Sequence, residues 1–184
     1  GNGRLRLLPV LLLGEAGIGK TAFSQRLAEV LGVRRFEVAF GHATQGGQLG
    51  GLSSFWGTGK QGAVFDALLL GREMNPVFLL DEIDKATVSR YDPLGCLYAL
   101  LEAESARRFR DEFAELPIDA SWFSWVATAN ALERLPDPIQ SRLVVFEVRR
   151  PSACELRRIG RAQYRRLIEG YGLMSHNDMG RLAR

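Results

Sequence analysis

Gly14-Glu15-Ala16-Gly17-Ile18-Gly19-Lys20-Thr21, directly behind an apolar run at residues 7–13, is the stretch whose reading decides the fold. It meets every fixed position of the pattern G-x-x-x-x-G-K-[ST], in which a strand, a tight turn and a helix wrap around phosphate. The glycines let the backbone close tightly and aim its N–H groups at anionic oxygens. Lys20 has the reach for the outer phosphates, and the Thr21 hydroxyl suits Mg²⁺. A helix opening near Gly19 turns its partly positive end toward the same anion. A glycine-rich turn that merely caps a helix is the bland alternative, and the strand before it and the helix after it count against that. The segment reads as a nucleoside triphosphate site.

Asn75-Pro76-Val77-Phe78-Leu79-Leu80-Asp81-Glu82 supplies its partner. A turn leads into a wholly apolar run, as expected of a parallel strand covered on both faces, and the run ends in two acids. Open α/β sheets place ligands at that end of a strand, so Asp81 is the candidate for the Mg²⁺ shell. Glu82 is the candidate general base for an attacking water. Adjacent acids can also be a solvated loop or a helix start, and Asp84 is expected to be no more than that.

The 184 residues suit one α/β domain with room for the beginning of a second small one. No apolar run is long enough to span a bilayer, and no signal-peptide pattern is present, so a cytoplasmic protein with no membrane partner is expected. Cys96 and Cys154 have neither metal nor redox spacing, and His42 and His176 are isolated. The first residue is Gly1 rather than methionine, which reads as a piece of a longer protein. Residues 149–184 hold nine arginines and three acids. Such a segment could meet nucleic acid or an acidic partner, but the reading preferred is a helix with a solvated arginine face or one docked on a neighbouring subunit.

Along the chain the pattern predicts strands at 7–13, 35–40, 77–81, 122–127 and 143–148. Helices are predicted at 21–31, 61–70 and 94–104, and a long one from a Ser152/Glu155 capping box toward Tyr171. Gly32 is expected to stop the first helix. Residues 41–59 contain seven glycines and read as loop, and 109–118 as a short hairpin. Strands alternating with helices imply a doubly wound parallel five-stranded sheet.

These residues together resemble the AAA+ ATPases, within the P-loop NTPases, and among them the ATPase module of Lon-type proteases. The resemblance runs over residues 5–148. Its most specific part is residues 75–85, followed by Asp92-Pro93, Ala99-Leu100-Leu101-Glu102, Leu116-Pro117-Ile118-Asp119 and Ala127-Thr128-Ala129-Asn130. It implies ATP with Mg²⁺ as ligands, Thr21 and Asp81 as metal-holding residues, and ATP hydrolysis coupled to movement of a partner. It further implies that Asn130 is the sensor-1 residue that orients water, its amide being able to bond both water and phosphate. Arg142 matches the arginine finger that enters a neighbouring subunit's site, which implies a ring, expected to be a hexamer. Phe55-Trp56-Gly57, in Ser54-Phe55-Trp56-Gly57, fall where the family has a pore loop that grips unfolded polypeptide. Two large apolar side chains in a glycine-rich loop are either such a grip or a small local core.

The chain departs from the family pattern at Glu15 and Ala16, where two prolines are usual, and at Trp56, where the usual residue is aliphatic. The Ser-Lys dyad of Lon belongs to a later domain and is not encoded here. Residues 1–148 are therefore expected to be the large nucleotide-binding part, and 149–184 the start of a C-terminal helical lid whose sensor-2 arginine is not assignable, Arg181 and Arg184 being candidates only as arginines. Two rival functions stay open: a nucleic-acid remodelling ATPase of the same fold, and a nucleotide-gated assembly scaffold with little turnover.

Overall fold

The computed structural model describes residues 7–42, 47–53, 59–71, 74–86 and 92–170. Five parallel strands form its main sheet: β1 (Val10–Leu13), β2 (Arg35–Ala39), β3 (Val77–Asp81), β6 (Ser124–Ala129) and β7 (Val144–Glu147), in the order β2-β3-β6-β1-β7. The short strands β4 (Phe109–Arg110) and β5 (Pro117–Ile118) pair antiparallel as the expected hairpin. Helices α1 (Lys20–Leu31), α2 (Ala63–Leu70), α3 (Leu97–Leu100), α4 (Ala103–Ala106), α5 (Asp137–Gln140) and α6 (Ala153–Gly170) complete the chain. It divides into two compact units, Gly1–Val148 and Arg149–Arg184.

Burial explains the strand order. Every residue of β6 is buried, as are the first four of β3, and these two apolar strands lie in the middle of the sheet. β7 pairs on one side only, and its four residues are exposed. Phe78 is fully buried and stacks with Phe36, Phe123 and Trp125 at centroid distances of 5.3, 5.4 and 4.8 Å. Aromatic contacts of this kind fix the register of the sheet beyond simple area burial. On the opposite face, Leu12, Val77, Leu79 and Val126 pack with Ala28 of α1. Gly32 ends α1 in the left-handed conformation (φ 66°), as its position predicts.

One predicted helix is corrected. The continuous helix expected at 94–104 is two short helices, α3 and α4, separated at Glu102 by an extended backbone (φ −104°, ψ 126°). Leu94, Leu97, Leu100, Leu101 and Ala106 are all buried. At 3.6 residues per turn a straight helix would carry Ala106 away from the leucine face. The break returns it to the core and leaves Glu102 half exposed at the corner. Asp84 lies in the first turn of the short 3₁₀ helix Ile83–Lys85, the helix-start reading of the two given for it, but it is only 6% exposed rather than solvated.

In the second unit, Ser152 and Glu155 form the expected capping box. The Ser152 amide donates to Glu155 Oε2 at 2.8 Å, and the Glu155 amide donates to Ser152 Oγ at 3.3 Å. Arg149 adds a two-pronged contact to the same carboxylate. The Arg149 hydrogen bonds, then those from Ser152, hold the Glu155 carboxyl down at about 2. The arginines of α6 are exposed along its length. Among the described residues no helix is long and apolar enough to cross a membrane.

Candidate nucleotide site

The parallel register brings the C-terminal ends of β1, β3 and β6 together, with Leu13 opposite Ala129 and Leu80 opposite Ala127. Residues 14–21, 81–82 and 128–130 therefore leave the sheet at one edge. The Gly14 amide is tied to the Ala129 carbonyl at 3.1 Å. A Cβ at Gly14 would come within 2.5 Å of the Val148 carbonyl oxygen, so this position requires glycine. Gly17 (φ 78°) and Gly19 (φ 98°) take the left-handed turns that close the loop before α1 starts at Lys20.

Lys20 is buried, and its ammonium has three acceptors: the carbonyls of Gly14 and Glu15 (the latter at 2.8 Å) and Asn130 Oδ1 at 2.9 Å. Desolvation lowers its pKa, opposed by the charges of Asp84, Asp81 and Glu82. Asp84, the largest of these opposing charges, is buried, and its carboxylate oxygens have no hydrogen-bond partner among the described residues. The Asn130 oxygen faces Lys20, which leaves its amide nitrogen as the donor for a phosphate or water.

The two residues expected to hold Mg²⁺ lie side by side: Thr21 Oγ1 donates to Asp81 Oδ1 at 3.3 Å. Thr128, buried in β6, donates to the same Asp81 oxygen at 2.7 Å and accepts from the Glu82 amide at 2.8 Å. One hydroxyl thus locks both acids. Glu82 sits in the left-handed region (φ 54°, ψ 48°), and Lys85 holds its carboxylate at 2.7 Å. A Cβ at Gly41, just beyond β2, would lie 2.7 Å from Glu82 Oε2. An open pocket of about 330 Å³ is bounded by Gly17, Lys20, Thr21, Asp81, Glu82 and Asn130. Its donors and single acid pair suit Mg²⁺, which takes one or two protein oxygens and leaves its other positions to phosphates and water.

The remaining predicted residues divide between this pocket and other places. Ala16 lines the pocket, and Ile18 lines a neighbouring one. Arg142 follows α5 and is not among the residues around the pocket; its guanidinium lies 3.6 Å from Glu102. Phe55, Trp56 and Gly57 fall outside the described residues, as do Arg181 and Arg184. On either side of those residues, Leu52 and Lys60 exchange backbone hydrogen bonds at 2.8 and 3.2 Å.

Sequence reasoning missed Lys85, whose pair with Glu82 is local, and Thr128 and Gly41, whose contacts exist only once β2, β3 and β6 are adjacent. It also missed an apolar pocket of about 680 Å³ walled by Leu8, Val10, Ile18, Phe23, Val144 and Phe146, which shares Gly19 and Lys20 with the phosphate cradle. Its residues come from four separate stretches of chain and, apart from residues 18–20 of the phosphate loop, carry no motif.

A phosphate loop at the carboxyl edge of a parallel sheet, with two acids at the end of β3, one strand removed from β1, defines a P-loop nucleotide-binding protein. Residues 10–150 match the ATPase family associated with various cellular activities (AAA), and the chain belongs to that family. It is 33% identical over 140 residues to Lon protease 1 of Borreliella burgdorferi and 34% identical over 140 residues to Lon protease of Borrelia duttonii. Each match covers 76% of this chain and 17% of the relative. The chain therefore corresponds to the ATPase module of those proteins and spans only a small part of their length. Among solved structures, a point mutant of RuvB from Thermotoga maritima superposes with a TM-score of 0.58 at 20% identity, covering 89% of this chain and 45% of that one. That likeness concerns the fold.

Proposed function

We propose that this chain is the Mg-ATP-hydrolysing motor module of a Lon-like ring that threads unfolded polypeptide. The observation that carries the proposal is the convergence of Lys20, Thr21, Asp81, Glu82 and Asn130 on one pocket. The loop amides and Lys20 bind the triphosphate, and the apolar pocket beyond Gly19 takes the flat face of the base. Mg²⁺, held through Thr21 and Asp81, supplies neutralisation of the charge that develops on the phosphates. Glu82 takes the proton of the attacking water, and the Asn130 amide nitrogen orients that water against the terminal phosphate.

Arg142 completes a neighbour's site, so turnover requires a ring, proposed as a hexamer. Phe55, Trp56 and Gly57 grip the polypeptide, and residues 149–184 begin the helical lid. The family membership and the similarity to Lon ATPase modules support this reading. The exposed Arg157, Arg161 and Arg165, spaced by four on α6, favour the second reading of a nucleic-acid remodeller.

One experiment separates the two. ATP hydrolysis by the full-length protein is measured alone, with an unfolded protein and with DNA. Acceleration by unfolded protein that disappears in Phe55→Ala/Trp56→Ala is expected. Acceleration by DNA alone would replace the threading reading with the remodelling one.

A further inference from the structure

Arg142 is the proposed catalytic residue that the described fold keeps away from its own nucleotide pocket, and its guanidinium is already engaged. Nη1 donates to the Pro138 carbonyl at 2.6 Å. Nη2 lies 3.6 Å from Glu102 Oε2. Nε is buried and has no hydrogen-bond partner among the described residues. Glu102 occupies the break between α3 and α4, the corner created when Ala106 turns into the core. Its carboxylate also accepts from Ser105 Oγ at 3.3 Å.

The two contacts differ in kind. The Pro138 bond is short and lies within the same turn, so it fixes the stem of the arginine. The Glu102 contact is longer than a hydrogen bond and joins side chains that are 53% and 30% exposed. An ion pair with that geometry is weak and screened by solvent. It sets where the guanidinium points without holding it firmly. A phosphate oxygen can offer the same nitrogen a shorter, charge-assisted bond. The unpartnered Nε adds to the imbalance, since the engaged state leaves one donor unused.

We infer that Glu102 is a positioning residue that holds Arg142 on its own chain and is exchanged for the terminal phosphate of a neighbouring subunit's nucleotide. The inference rests on the proposed action of Arg142 across subunits. Two anions compete for one guanidinium, so the Glu102 charge opposes turnover in the neighbour. No such effect reaches the subunit's own pocket.

The test uses mixed rings of the full-length protein. Acceptor chains carry Arg142→Ala and can hydrolyse but offer no arginine. Donor chains carry Glu82→Gln and offer the arginine but do not hydrolyse. Turnover in the mixture and none in either chain alone reports action across subunits. Inactive mixtures would overturn the reading of Arg142, and the exchange with it. Glu102→Gln is then placed on the donor alone or on the acceptor alone. The expected result is a two- to fivefold rise in kcat at unchanged KM for ATP when it is on the donor, and no change when it is on the acceptor. Glu102→Asp on the donor, with its carboxylate drawn back, moves kcat in the same direction by less. Equal effects from donor and acceptor would make Glu102 an ordinary structural residue. An unchanged or lowered kcat from the donor would equally overturn the exchange.

Discussion

Replacing Thr128 with valine keeps the volume of a buried β6 side chain and deletes one hydroxyl. That hydroxyl donates to Asp81 at 2.7 Å and accepts from the Glu82 amide at 2.8 Å. A hydrogen bond to a charged group is worth ~1.5–3 kcal/mol, and a buried donor left without its acceptor costs ~1–3 kcal/mol. Asp81 and Glu82 are partly exposed, so water recovers a share, and the expected loss is about 2–4 kcal/mol. In a chain of this size that lowers the melting temperature by roughly 5–15 °C. Turnover falls too, because the amide bond holds Glu82 in a left-handed conformation that a non-glycine residue adopts at a cost. Displacement of the base by about 1 Å is worth up to ~100-fold in rate.

Thr128→Ser is the control. It retains both bonds and removes one methyl, for about 1 kcal/mol, with kcat near that of the parent. Urea denaturation without nucleotide and steady-state ATP hydrolysis measure the two effects. A Thr128→Val protein as stable and active as the parent would refute the reasoning. So would a serine variant that loses as much as the valine one.

Other expectations follow from single contacts. Gly41→Ala pushes a methyl against Glu82 Oε2, so kcat should drop about tenfold while stability changes by under ~1 kcal/mol; a parent-like kcat would contradict it. The Glu155 carboxyl has a folded pKa of about 2 against an ordinary 4.5, so its support of the first turn of α6 is complete above about 4.5 and is lost as the pH falls toward 2. A carboxyl NMR titration should show this, with Arg149→Ala raising the midpoint more than Ser152→Ala; a midpoint near 4.5 in the parent would contradict it. Burial pushes the Cys96 thiol up to about 12, whereas Cys154 is exposed. A thiol reagent at about pH 8 should modify the exposed Cys154 rapidly and the half-buried Cys96 at least roughly tenfold more slowly, and equal rates would contradict this.

The nucleotide-binding fold was legible because its signals are local. The loop at 14–21 carries its chemistry in eight consecutive residues, and β3 announces itself as an apolar run that ends in acids. Asn130 was legible only through the family resemblance, since one asparagine after a strand has many uses. Thr128 was not legible as a site residue. A threonine inside a buried strand reads as core, and its bonds to Asp81 and Glu82 span 47 and 46 residues. The break at Glu102 was hidden because every residue at 97–106 is an acceptable helix former. What ends the helix is the need to bury Ala106, a tertiary demand without a capping signal. Asp84 was legible as a helix start, but its burial was not, since only the 3₁₀ turn folds it inward.

The central claim is that Glu82 works as the base on ATP held by Lys20, Thr21 and Asp81. The most direct test is steady-state ATP turnover by the full-length protein beside its Glu82→Gln variant, with bound ATP measured in both. Hydrolysis by the parent, and a variant that holds ATP with similar affinity but turns it over ~100-fold or more slowly, is the predicted result. A variant that hydrolyses ATP as fast as the parent would contradict the account.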